Sequence, residues 1–127
     1  MEFTELYALA GSVVNPRKLS DQAEAGGVGA AILTAEGHTY TGVCIDTACS
    51  MGFCAEPAAA AAMLTAGENR IVRVIAVGWD GRIMAPCGRC REFMRQLHPE
   101  NGGAEVMVAE NTVVKLMDLL PYDWRAL

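Results

Sequence analysis

Apolar positions recur along this chain at two different periods, and the switches between them predict its elements. Phe3, Leu6, Tyr7, Ala10, Val13 and Val14 repeat at helical spacing until Asn15-Pro16 interrupts them, which predicts an opening amphipathic helix. Residues 28–34 form a short apolar run between Gly26-Gly27 and the turn Ala35-Glu36-Gly37. A second extended segment covers residues 39–46, so the two read as a hairpin. Residues 55–66 are alanine-rich, carry Pro57 where a first helical turn tolerates it, and stop at Gly67, the pattern of a helix. Residues 71–77 are apolar throughout and predict a buried strand. In residues 88–98, Cys90, Phe93, Met94 and Leu97 return to helical spacing before His98-Pro99. Residues 106–109 predict a short strand. Thr112 is placed to cap a last helix with Val113, Leu116, Met117 and Leu120 on one face and Pro121 at its end. The predicted order is α-β-β-α-β-α-β-α, without a repeat or linker. It implies one domain over residues 1–127, a mixed α/β sandwich whose opening hairpin makes one strand antiparallel.

Composition narrows the functions open to such a domain. At 127 residues with 52% hydrophobic content, the chain is long enough for one packed core. Its formal net charge of -5 would repel a phosphate backbone. A small-molecule ligand is therefore expected, and no nucleic-acid polymer. Met1-Glu2-Phe3-Thr4-Glu5 is acidic where a secretory leader is basic, and no apolar run reaches the length of a membrane span. The expectation is a cytoplasmic protein with no membrane partner. In that reducing compartment, five cysteines point to metal binding or reactive thiols rather than disulfides.

Two fragments concentrate the chemistry. Cys54-Ala55-Glu56 opens the alanine-rich helix, and Pro86-Cys87-Gly88-Arg89-Cys90 opens the next one. Each cysteine cluster therefore sits at a helix N-terminus, where free N–H groups and the helix dipole favour thiolate. Cys87 and Cys90 can chelate one ion from a single turn, and Cys54 can add a third sulfur if the helices pack side by side. Three protein ligands leave one tetrahedral position open, which distinguishes a catalytic zinc from a structural one. Glu56, in the first turn, could reach a water held there. Three thiolates overcompensate the metal's charge, and Arg89, between the paired cysteines, is expected to relieve this by donating a hydrogen bond to a sulfur. A non-catalytic zinc-stabilised module stands as the alternative, with Cys44, Cys49 or His38 closing the site as a fourth ligand. Apart from that role, Cys44 and Cys49 read as small buried residues beside the pocket, His38 and His98 as surface residues, and Arg91 as a solvated helix position.

Cys-Ala-Glu followed about thirty residues later by Pro-Cys-x-x-Cys resembles the signature of the cytidine deaminase superfamily. The likeness extends over Val28-Gly29-Ala30-Ala31-Ile32-Leu33, Tyr40-Thr41-Gly42, Ala48-x-Ser50-Met51 and Leu119-Leu120-Pro121. It is similar in particular to the small cytidine deaminases and blasticidin S deaminase. The resemblance implies a three-layer sandwich with a mixed, roughly five-stranded sheet, one Zn2+ per chain on Cys54, Cys87 and Cys90, and a homotetramer. It also implies that Glu56 shuttles protons while water attacks C4 of a cytosine ring, yielding the uracil form and ammonia. Ordinary cytidine deaminases resemble Asn-x-Glu-Asn-Ala at the sugar and Cys-Ala-Glu-Arg at the metal. Here those stretches read Cys44-Ile45-Asp46-Thr47-Ala48 and Cys54-Ala55-Glu56-Pro57. Cys44, Asp46, Phe53 and Ala55 are the expected substrate contacts, with Phe53 readable as core as well as pocket wall. By analogy with blasticidin S deaminase, which shares Cys-Gly-Arg-Cys, Arg89 stands in for the missing arginine. On the same analogy the tail brings Tyr122 and Trp124 over the ligand.

Overall fold

A computed structural model describes residues 1–126. Helix α1 (Phe3–Val13) is followed by strands β1 (Arg17–Ser20), β2 (Ala23–Thr34) and β3 (Thr39–Thr47), then by helix α2 (Ala55–Thr65) and strand β4 (Ile71–Gly78). Helix α3 (Gly88–Gln96) and strands β5 (Glu105–Ala109) and β6 (Thr112–Lys115) complete the regular elements. Single 3-10 turns cover Ala48–Ser50, Asn101–Gly103, Leu116–Leu119 and Trp124–Ala126.

The six strands form one mixed sheet, the α/β architecture expected, with two strands more than the chain's periodicity predicts and about one more than the resemblance implies. Long β2 is its spine: β3 runs antiparallel along one edge, and the other edge pairs first with β1 and then with β4. Only β4 and β5 are parallel, joined across the sheet by α3. Alternation along β2 divides the core between two faces. Ala31 and Leu33 meet Leu6 and Ala10 of α1, while Ala30 and Ile32 meet Ala59, Ala60 and Met63 of α2 and Met94 of α3. The result is three layers, helix on sheet on helices. Ile32, Met63, Ile71 and Met94 are at most 1% exposed, and each contributes about 1.5–3 kcal/mol by leaving water.

Helix α2 lies directly on β3 because both surfaces are small. A Cβ at Gly42 would stand 2.3 Å from the Ala59 nitrogen and 2.6 Å from the Ala58 carbonyl carbon. Past its end, the Gly67 N–H donates to Leu64 and the Glu68 N–H to Met63, a Schellman stop that needs the positive φ of 90° at Gly67.

Two expectations are corrected here. Among the described residues no α-helix follows Thr112. That residue opens β6, which pairs with β5 through a turn holding Asn111 at φ 55°, and only the short 3-10 turns Leu116–Leu119 and Trp124–Ala126 come after it. The run Thr112-Val113-Val114 is β-branched, and the Thr112 hydroxyl donates to the Glu110 carbonyl rather than capping a helix. The spacing of Val113, Leu116 and Met117 imitated a helical face, yet only Leu116 is buried. Strand β1 was not foreseen, because its four residues are all exposed and carry no apolar pattern.

Candidate active site

The carboxyl end of β4, the middle of β2 at Val28 and the end of β3 open onto one cavity of about 610 Å³, beside the carboxyl ends of strands, where α/β sheets bind ligands. Helices α2 and α3 aim their N-termini into it. Cys54 is the N-cap of α2 and Cys87 the N-cap of α3, with Cys90 one turn further on. The Sγ atoms of Cys54 and Cys87 are 3.6 Å apart, those of Cys87 and Cys90 3.3 Å, and all three lie within 4.8 Å of one another. Tetrahedral bonds of about 2.3 Å to zinc would set the sulfurs about 3.8 Å apart. The donor set therefore fits a soft divalent ion held at two helix N-termini.

The electrostatics support the same fit. Burial pushes the Cys54 thiol up, and the Cys87 contact adds to it. Burial and then the Glu56 carboxylate push Cys90 far above the ordinary thiol range. Burial acts on Cys87 too, but hydrogen bonds from the Cys90 and Arg89 backbone and from the neighbouring sulfurs outweigh it and bring that thiol down. Protein groups alone thus favour one thiolate of the three, and a cation among the sulfurs would supply the charge the others lack.

Glu56 is 5% exposed and lines the same cavity. Burial raises its carboxyl above the usual carboxylate range, partly offset by its own backbone N–H and by Cys90. A carboxyl so placed gives and takes protons closer to neutral pH than a solvated one.

The cavity is also lined by Cys44, Asp46, Phe53, Ala55 and Arg89. The Cys44 sulfur accepts a hydrogen bond from the Val28 N–H at 3.2 Å and stays outside the three-sulfur cluster. Cys49 is exposed, not buried, and His38 contacts Glu68 through Nδ1 at 2.9 Å in a separate grouping. Among the described residues no fourth His, Cys, Asp or Glu donor joins the sulfurs within 4.8 Å, so the closed structural site has no ligand to complete it.

Three further placements depart from expectation. The Arg89 guanidinium donates to the Gly52 carbonyl at 3.5 Å, and among the described hydrogen bonds none joins it to a sulfur. Tyr122 and Trp124, 95% and 63% exposed, do not line the cavity of their own chain. The tail is instead clasped to α3, where Arg125 pairs with Glu92 at 2.6 Å and stacks over Trp124 at 4.9 Å. Sequence reasoning also missed Ser50, Met84 and Ala85 in the cavity wall. Met84 is set there by its N–H bond to the Ala76 carbonyl, and Ser50 by a left-handed backbone at φ 55°. Neither feature leaves a periodic trace.

No protein-family model matches the chain, but the sequence has relatives. It is 33% identical to the cytidine deaminase of Mycobacterium tuberculosis over 96 residues, covering 74% of this chain and 69% of that one. The chain belongs to the cytidine deaminase family. The cytidine deaminase of Halalkalibacterium halodurans is also 33% identical, over 97 residues that cover 71% of this chain and 73% of that one. Among solved structures, the crystal structure of cytidine deaminase from Mycobacterium leprae superposes with a TM-score of 0.80 at 26% identity, covering 95% of this chain and 98% of that one.

Proposed function

We propose that the chain is a zinc-dependent hydrolase that converts the cytosine ring of a nucleoside or nucleoside-like compound to the uracil form. Cytidine, deoxycytidine and compounds of the blasticidin S type make up the substrate class. The observation that carries this reading is the meeting of three sulfurs from two helix N-termini with the buried Glu56 carboxyl in one cavity. Cys54, Cys87 and Cys90 would hold the ion. Zinc, when bound, supplies Lewis acidity that lowers the pKa of water.

The chain's own groups do the rest. Glu56 accepts a proton from the attacking water and delivers it to ring N3. It then carries the second proton to the departing amino group, so water adds at C4, ammonia leaves and the carboxyl ends as it began. Burial favours the protonated carboxyl, which makes the delivery step easier than for a solvated glutamate. The apolar wall around it, with Val28, Phe53 and Ala76, excludes bulk water and suits a flat ring. Cys44 and Asp46 face the part of the ligand beyond the ring. A sulfur already accepting from Val28 offers a sugar hydroxyl less than an amide would, and this favours substrates whose sugar differs from ribose. We extend the proposal to a cytoplasmic homotetramer, supported by Met51, Trp79 and Tyr122, which expose 78%, 74% and 95% of their surface. No described helix is long and apolar enough to cross a membrane.

The test is Glu56→Gln. Retention of one zinc per chain with ammonia release reduced by at least about 100-fold is expected. Undiminished turnover would reject the role of Glu56, and a wild type without zinc would reject the reading. Parallel assays on cytidine, deoxycytidine, blasticidin S and free cytosine define the substrate.

A further inference from the structure

The residue after the last sulfur ligand is Arg91, and its side chain turns back along α3 rather than out to solvent. Its Nε donates to the Pro86 carbonyl oxygen at 2.7 Å, while its backbone N–H donates to the Cys87 carbonyl at 3.0 Å. A single residue therefore grips both peptide planes that flank Cys87. The Cys87 carbonyl is an ordinary helical acceptor, but that of Pro86 precedes the N-cap and has no partner inside the helix. Pro86 is buried, so its carbonyl needs a donor from elsewhere. With both planes fixed, φ and ψ of Cys87 (-68° and 167°) are fixed as well, and so is the direction of its Cα–Cβ bond. The same guanidinium reaches the Leu119 carbonyl through Nη1 at 3.4 Å. It thereby ties the metal-binding turn to the 3-10 turn Leu116–Leu119 that follows β6.

We infer that Arg91 is a positioning residue for the metal centre, setting the orientation of Cys87 through the Pro86 carbonyl. This rests on the three-sulfur metal reading. The role was expected of Arg89, whose guanidinium instead bonds Gly52 across the cavity. Arg91 touches neither sulfur nor ligand cavity; it acts on the ligand's backbone. Groups that orient metal ligands in this way cost about 10–100-fold in metal affinity when removed.

The experiment compares wild type, Arg91→Ala and Arg91→Lys as full chains, by chelator competition for zinc and by the absorption spectrum of the cobalt(II)-substituted proteins. Arg91→Ala is expected to lose about 10–100-fold in zinc affinity and to alter the cobalt bands, because Cys87 is no longer held in one orientation. Arg91→Lys keeps the charge but lacks the planar fork. It should fall between the two, and it carries the comparison if the alanine variant does not fold. A variant with wild-type zinc affinity and an unchanged cobalt spectrum overturns the inference alone. A wild type that takes up neither metal overturns the metal reading itself.

Discussion

Gly42→Ala is the smallest change that tests how the helix bearing Cys54 and Glu56 is placed. The added Cβ would lie 2.3 Å from the Ala59 nitrogen and 2.7 Å from the Ala58 Cβ, where ordinary contact begins at 3.4 Å. Two of the three near atoms are helix backbone, so no side chain can swing aside. Helix α2 must lift by about 1 Å, against an interior packed as densely as a crystal. Overpacking of this kind costs about 1–3 kcal/mol, a shift of about 1 M in the urea midpoint for a domain of this size. Because Cys54 and Glu56 ride on the first turn of α2, the same displacement misplaces the proposed ligand and proton carrier, worth about 100-fold in kcat/KM. Gly11→Ala is the control. Nothing lies within 4 Å of its Cβ, and in the last turn of α1 the alanine should leave stability unchanged or raise it by up to about 1 kcal/mol. Urea unfolding and steady-state deamination of both variants decide the matter. A Gly42→Ala protein with the wild-type midpoint and kcat/KM would refute the close docking of α2 on β3.

Other consequences follow from particular groups. Hydrogen bonds from Thr34 and then Tyr40, joined by His38, pull the buried Glu68 carboxyl down to about 2 from an ordinary 4.5. Its contribution to stability is therefore complete above about pH 4.5 and drains away as pH falls toward 2. Glu68→Gln should flatten that part of the stability-against-pH curve, and an unaltered acid arm would reject the network. Glu92 behaves alike, held at about 2 first by the Arg125 hydrogen bond. The melting-temperature gap between wild type and Arg125→Ala should accordingly be full at pH 6 and narrow below pH 4.5; a gap that does not change with pH would contradict the clasp. Asp46→Ala should raise KM about 10-fold for cytidine but leave free cytosine unaffected, since Asp46 lines the cavity from the end of β3 and is proposed to meet the sugar rather than the ring; equal effects on both would remove it from sugar recognition.

Several elements were legible in the sequence because residues close in the chain state them. The alanine run ending at Gly67 and the apolar run of residues 28–34 are local patterns that became α2 and the inner part of β2, and the Cys-x-x-Cys spacing brings Cys87 and Cys90 together, with Cys54 joining them through the packing of α2 beside α3. What stayed hidden depends on partners distant in the chain. Val113, Leu116 and Met117 fit a helical face, and only pairing with β5 shows that β-branched Val113 and Val114 extend instead. The exposed strand β1 exists because β2 offers it an edge, not because Arg17–Ser20 favours extension. Arg89 and Arg91 look interchangeable as helix residues near the ligands. Which of them faces Pro86 is fixed by the α3 rotation that buries Cys90 and Met94. Tyr122 and Trp124 looked like ring-stacking groups by analogy, whereas the Arg125 and Glu92 pair ties their segment to the outer side of α3.

The central claim is that three sulfurs bind a metal and leave one position to solvent, and X-ray absorption at the zinc edge of the purified, active protein measures this directly. Three sulfur scatterers at about 2.3 Å and a single oxygen or nitrogen at about 2.0 Å are predicted. Four sulfurs, or a fully active protein without zinc, would contradict it.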